Sequence, residues 1–117
     1  ACGAHTERQP ILTRVPPDRA RQEVAGSKHR LEEELGAPVT AFAFPNGGRA
    51  DVDQTAIRLL DEAGFRLGFT LIPGPERAGA VRESRLAMRR IYIHHGDYPA
   101  RFAAKVHGVP RLLRVAR

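Results

Sequence analysis

The sequence predicts an α/β domain in which parallel strands alternate with helices, and three observations carry that prediction. Apolar residues recur at helical spacing in two stretches, within residues 18–36 and 51–64. A short run that is apolar on both faces follows each of them, as expected of a buried strand. The connections are short and punctuated by proline and glycine. Helix, strand, helix, strand with such connections implies right-handed β-α-β crossovers and a parallel sheet. At 117 residues the chain is expected to form a single domain spanning 1–117, and it shows no internal repeat or low-complexity segment.

Each element has its own warrant. "CGAHTERQP" reads as the end of a strand running into a loop. In "DRARQEVAGSKHRLEEELG" the residues Ala20, Val24, Leu31 and Leu35 share a face, with Pro17 suited to the first turn and Gly36 to the stop. "APVTAFAFPNGG" sends Val39, Ala41 and Ala43 to one side and Phe42 and Phe44 to the other, and ends in a turn. In "ADVDQTAIRLLDEAGF" either Asp51 or Asp53 is placed to accept the free N–H groups of the first turn, Ala56, Leu59, Leu60 and Ala63 face inward, and Gly64 closes the helix. "RLGFTLIPGP" predicts another buried strand. "AMRRIYIHHGDYP" predicts a further short strand, and a last helix is expected around residues 101–107.

Composition excludes several classes. With 42% apolar and 27% charged residues the chain is not expected to be disordered. No apolar run approaches the roughly 20 residues a membrane span requires, so no span is expected, and compartment stays open between cell envelope and cytoplasm. The single cysteine, Cys2, rules out an internal disulfide and a cysteine-based zinc cluster and is expected to be a small buried residue at a strand end. The net charge of +6 is concentrated in residues 77–117, which hold ten of the nineteen Lys/Arg and only Glu83 and Asp97 among acids. That surface attracts polyanions in general. Lacking zinc-finger spacing, an RNA-recognition motif or a basic stripe interleaved with aromatics, it is read as a solvated arginine-rich face, and no nucleic acid is expected as a partner.

In parallel α/β folds the working residues lie at the C-terminal ends of strands and in the loops beyond them. By that rule His5, Thr6, Gln9, Asn46 and Gly47 are expected on one rim. Arg89 and Arg90 alternate across the faces of their strand, so one of them is expected to turn toward it. In "HHGD" strand alternation would send His94 and His95 to opposite faces unless the strand has already ended, so a second metal site there is not expected. His29 and His107 sit among charged helical residues and are expected to be exposed.

"GAHTERQPIL", a helix leading into "LEEELGAPVTAFAFPNG", and then "TAIRLLDEAGFRLGFT" resemble, in that order, the second half of polysaccharide deacetylases with the NodB homology domain, the family 4 carbohydrate esterases. The resemblance covers residues 2–70, with looser agreement in "LAMRRIYI". It implies a distorted (β/α) barrel, and since about 250 residues is usual for eight units, this chain would be a partial barrel completed by a missing N-terminal half or a partner. It also implies a divalent metal, zinc foremost, held by two histidines in a G-[SA]-H-T-x-x-H-P pattern together with an aspartate. His5 matches the first histidine, and Thr6 and Pro10 match its neighbours. Gln9 stands where the second histidine is expected, and a neutral amide oxygen is a much weaker zinc donor than imidazole.

The family's aspartate pair, one base and one ligand, lies upstream of the histidine motif and has no counterpart here. Asp51 and Asp53 read as helix-starting caps and Glu7 as a solvated loop residue. In the family, water activated by the cation attacks the acetyl carbonyl of an N-acetylated sugar while an aspartate takes its proton. The resemblance therefore implies a hydrolase that removes N-acetyl groups from a polysaccharide or oligosaccharide in its full-length form, with this chain inactive alone. Thr6, Asn46, Gly47 and Arg90 are the expected substrate-binding positions. The alternative, a non-catalytic carbohydrate-binding or assembly module that has lost its metal site, rests on Gln9.

Overall fold

The computed structural model describes residues 1–109; Arg111, Arg114 and Arg117 of the basic C-terminal third lie outside the described residues. Helix α1 spans Pro17–Leu35, strand β1 Ala41–Ala43, helix α2 Gln54–Glu62, strand β2 Leu67–Pro73, strand β3 Met88–Arg90 and helix α3 Pro99–Val106. Single 3-10 turns at Leu12–Arg14 and Ala78–Ala80, not expected from the sequence, complete the list.

The three strands form a parallel sheet in the order β1-β2-β3. Ala4 extends it by a parallel bridge to Phe42, donating to the Ala41 carbonyl at 2.8 Å and accepting from the Ala43 N–H at 2.9 Å. The opening stretch thus occupies the strand position before α1, and the order residue 4, β1, β2, β3 advances in one direction across the sheet. This steady advance is the winding of a barrel, here an open part of one, as the sequence predicted.

Register explains where the core sits. Phe42 pairs with Gly68, while Ala41 and Ala43 pair with Leu67 and Phe69, so Phe42, Phe44, Gly68 and Thr70 share one face and Ala41, Ala43, Leu67, Phe69 and Leu71 the other. The first face is sealed beneath the helices: Phe42, Phe44, Val24, Ala20, Ala56, Leu59, Leu60 and Phe65 form one buried cluster. Phe42 meets both Phe44 and Phe65 edge-on, with ring centroids 5.4 and 5.2 Å apart, a geometry worth about 0.5–1.5 kcal/mol per pair beyond area burial. The second face is open. Leu71 is 53% exposed and Leu67 38%, which corrects the expectation of strands buried on both faces. Hydrophobic run length does not reveal whether anything covers the second face.

Local chemistry fixes the helix ends. Pro17 supplies the first turn of α1, and Gly36, in the left-handed region at φ 61°, ends it by donating to the Glu32 carbonyl. Asp53 caps α2 by accepting from the Ala56 N–H at 2.7 Å, which resolves the choice between the two aspartates. Leu35 does not join the inner face of α1; it is 48% exposed, and Glu23 and Ser27 are buried instead. Cys2 is likewise exposed rather than buried, because the segment is held in the sheet by Ala4 alone. Among the described residues no helix is long and apolar enough to cross a membrane.

Candidate active-site rim

The loop that follows Ala4 carries His5, Thr6 and Gln9, and its geometry is unusual for non-glycine residues. Thr6 at φ 63° and Gln9 at φ 58° both lie in the left-handed region, which a β-branched threonine strongly disfavours. Three interactions hold the loop there. The His5 Nδ1–H donates to the Ala43 carbonyl at the end of β1 at 2.7 Å. The Thr6 hydroxyl donates to the His5 carbonyl at 2.5 Å. On the other side, Oε2 of Glu23 accepts the backbone N–H groups of both Glu7 and Arg8 at 3.0 Å each.

The first of these contacts determines what His5 can do. A backbone carbonyl only accepts, so Nδ1 carries the proton and the Nε2 lone pair is left free on an exposed ring. Metal-binding histidines are oriented in this way, with one nitrogen anchored and the other presented. Gln9, also exposed, lies at the far end of the same loop. The donor set is incomplete within this chain: among the described residues no three His, Cys, Asp or Glu side chains form a group able to hold a metal ion. By donor chemistry His5 offers an imidazole nitrogen and Gln9 only a neutral amide oxygen, a much weaker zinc donor.

The second rim loop follows β1. Asn46 is exposed at φ 58°, and Gly47 is buried at φ 68°, where a Cβ would lie 2.9 Å from the Leu71 nitrogen and 3.1 Å from the Phe44 oxygen. Only glycine allows this approach, and it lets the Gly47 carbonyl accept from the Leu71 N–H at 2.7 Å, tying the loop to the second half of β2. Asp51 stabilises the same loop: its Oδ2 accepts from the Gly48 N–H at 3.1 Å, and its Oδ1 lies 3.6 Å from Arg14. It is a loop pin rather than a helix cap.

Arg90 reaches back across the sheet, its Nε–H donating to the Thr70 carbonyl at 2.6 Å. Arg89 instead presents its backbone N–H to Glu76. A shallow, largely apolar groove lined by Phe69, Met88, Ile91 and Val106 adjoins Arg90. The predicted residues therefore lie along one end of the sheet, and adjacent ones are linked through β1 and β2. His5 and Arg90 stand three strand spacings apart, roughly 14 Å along the sheet, so Arg90 does not share a ligand position with His5.

His94 and His95 lie beyond the end of β3, in a turn, so the strand alternation that would have separated them does not operate. Their ring centroids are 3.8 Å apart. His94 Nδ1 accepts from the Gly96 N–H at 3.1 Å, which commits that nitrogen. Asp97 organises the turn by accepting from the His94 N–H at 2.7 Å and from the Lys105 ammonium at 2.5 Å. Those bonds, the backbone one first, hold its carboxyl below the usual carboxylate range.

Sequence reading missed Glu23, and it did not assign Asp51 or Asp97 the turn-organising contacts they make. For Glu23 a signal was present: it lies three residues after Ala20 and four before Ser27, so an acid occupied the inner face of an amphipathic helix.

A family model described as polysaccharide deacetylase matches residues 1–68. No curated protein matches the sequence. Among solved structures, the deacetylase PplD of Streptococcus pyogenes, in complex with acetate, is 25% identical with a TM-score of 0.78, covering 89% of this chain and 43% of its own. A polysaccharide deacetylase from Bacillus cereus is 26% identical with a TM-score of 0.77, covering 91% of this chain and 32% of its own. IcaB from Ammonifex degensii is 25% identical with a TM-score of 0.69, covering 91% and 46%. This chain thus spans less than half the length of these neighbours. With the family match extending through both rim loops and the first residues of β2, the chain belongs to the polysaccharide deacetylase family.

Proposed function

We propose that the chain supplies one side of the active site of a metal-dependent deacetylase acting on a glycan with N-acetylated sugars. The observation that carries this reading is the His5 ring, anchored through Nδ1 to the Ala43 carbonyl with Nε2 free on the rim. His5 and, more weakly, Gln9 would hold a divalent cation, which when bound polarises an acyl carbonyl. Asn46, exposed at the adjoining strand end, offers its side-chain amide to a sugar placed on the rim, whereas the Gly47 and Gly48 backbone groups are already engaged within the loop and with Leu71. Arg90, held by the Thr70 carbonyl, keeps its remaining guanidinium donors for a hydroxyl or carbonyl oxygen.

The aspartates beside the rim loops are already committed, Asp51 to the Gly48 N–H and Asp53 to the Ala56 N–H, while Asp61 and Asp97 pair with Arg85 and Lys105. The 117 residues alone are therefore expected to release no more acetate from chitooligosaccharide, with zinc or cobalt added, than a His5→Ala variant does. Acetate release clearly above that control would refute the inactivity and show that a base lies within the chain. The second reading, a carbohydrate-binding module that has lost its metal, is favoured by Gln9. Saturable chitooligosaccharide binding that is unchanged by chelator and by His5→Ala would establish it.

A further inference from the structure

We propose that Glu23 is a positioning residue that sets the conformation of the His5–Gln9 loop from beneath, through the helix on which the loop rests. This inference deepens the metal-site reading and rests on it for its functional meaning. Glu23 is 5% exposed, on the same face of α1 as Ala20, Val24 and Ser27. A carboxylate in that position is costly unless its oxygens are satisfied. Its bonds go neither to its own helix nor, among the described residues, to a cation within ion-pair distance. They go to the consecutive N–H groups of Glu7 and Arg8, midway between the two ligand positions.

Converging backbone N–H groups form an anion-binding concavity, and here the anion is the protein's own side chain. The two donors are flanked by Thr6 and Gln9, both at positive φ, so the bonds fall where the backbone is least able to hold its shape unaided. Gly26, one turn along the helix, leaves the space that Glu7 occupies: a Cβ there would stand 3.0 Å from Glu7 Oε1. The loop thus has a seat on α1 made of a buried acid and a missing side chain. The Ala43 carbonyl orients the His5 ring, while Glu23 fixes where position 9 stands relative to it.

The test compares the parent chain with Glu23→Gln and Glu23→Ala by amide hydrogen exchange, imidazole 15N shifts, thermal melting and zinc calorimetry. Glu23→Gln keeps the shape but loses the charge-assisted bonds, which are roughly twice as strong as neutral ones. The expected result for Glu23→Gln is exchange at Glu7 and Arg8 faster by about tenfold, exchange in β1 unchanged, and zinc affinity lower by about tenfold, the lower end for loss of a supporting contact behind a metal ligand. Glu23→Ala, if it folds, exceeds both effects, so the glutamine variant restores part of what alanine removes. Unchanged exchange at Glu7 and Arg8 and unchanged His5 15N shifts in Glu23→Gln would overturn the proposal, whatever zinc does. Equal zinc affinity of the parent and His5→Ala would instead overturn the metal reading, and exchange would still decide the role of Glu23.

Discussion

At residue scale the informative position is 9. The loop presents an anchored imidazole at His5 and holds residue 9 in a left-handed conformation; on the proposed metal reading, position 9 is the second ligand and its amide oxygen is the weaker donor. Restoring imidazole there should strengthen zinc binding by on the order of tenfold or more, tenfold being about 1.4 kcal/mol. Calorimetry on the parent, Gln9→His and Gln9→His combined with His5→Ala checks this. Affinity that does not rise in Gln9→His, or that survives loss of His5, would show that the two positions do not share an ion. The candidate ligands were legible in the sequence because one short motif, four residues from His5 to Gln9, carries both. Glu23 was not identified, since its partners lie fifteen and sixteen residues away and only folding brings α1 under the loop.

At element scale, helix ends and turns carry the measurable energies. Asp53→Ala removes the bond to the Ala56 N–H and should cost about 1 kcal/mol, read as a lower urea midpoint with an unchanged slope; Asp51→Ala should instead loosen the 46–51 loop without shortening α2. Two carboxylates link stability to pH. The Lys28 ammonium, first, and the Val39 N–H hold Glu32 below the usual range, and the His94 N–H and Lys105 do the same for Asp97. Since both folded-state values are depressed, their stabilisation is fully present above the unfolded values near pH 4 and is lost as pH falls through the folded ones. Melting temperatures measured from pH 5 down to pH 2 should fall more gently in a Glu32→Gln, Asp97→Asn double variant than in the parent. Helix extents were close to those read from the sequence because apolar period, proline and glycine are local signals. Strand extents were not: β1 is only Ala41–Ala43, because strand length depends on how far a neighbour runs alongside.

At the scale of the whole molecule, the open sheet face governs behaviour. Leu67 and Leu71 are exposed there beside half-buried Ala41 and Ala43, and the same face is the interior of a complete barrel. An uncovered apolar sheet face associates. The 117-residue chain should therefore show concentration-dependent sedimentation that Leu71→Ser weakens, while stability to urea changes by no more than about 0.5 kcal/mol, as for surface sites generally. Unaltered sedimentation in Leu71→Ser would place the association elsewhere. Gly68 belongs to this scale as well: a Cβ would come within 2.1 Å of the Leu86 oxygen, so the packing of β2 against the segment entering β3 depends on glycine at that position.

By itself the sequence determined the alternation of helix and strand, the parallel winding, the rim loops and the family to which they belong. All of these rest on spacing along the chain, which period, turn chemistry and motif order report directly. The tertiary structure alone decided which face of the sheet is sealed, that His94 and His95 fall beyond their strand, that Asp51 pins a loop while Asp53 caps a helix, and that Glu23 supports the histidine loop. Each of those depends on which groups meet across space, and a buried polar group reveals its purpose only when its partner is in view.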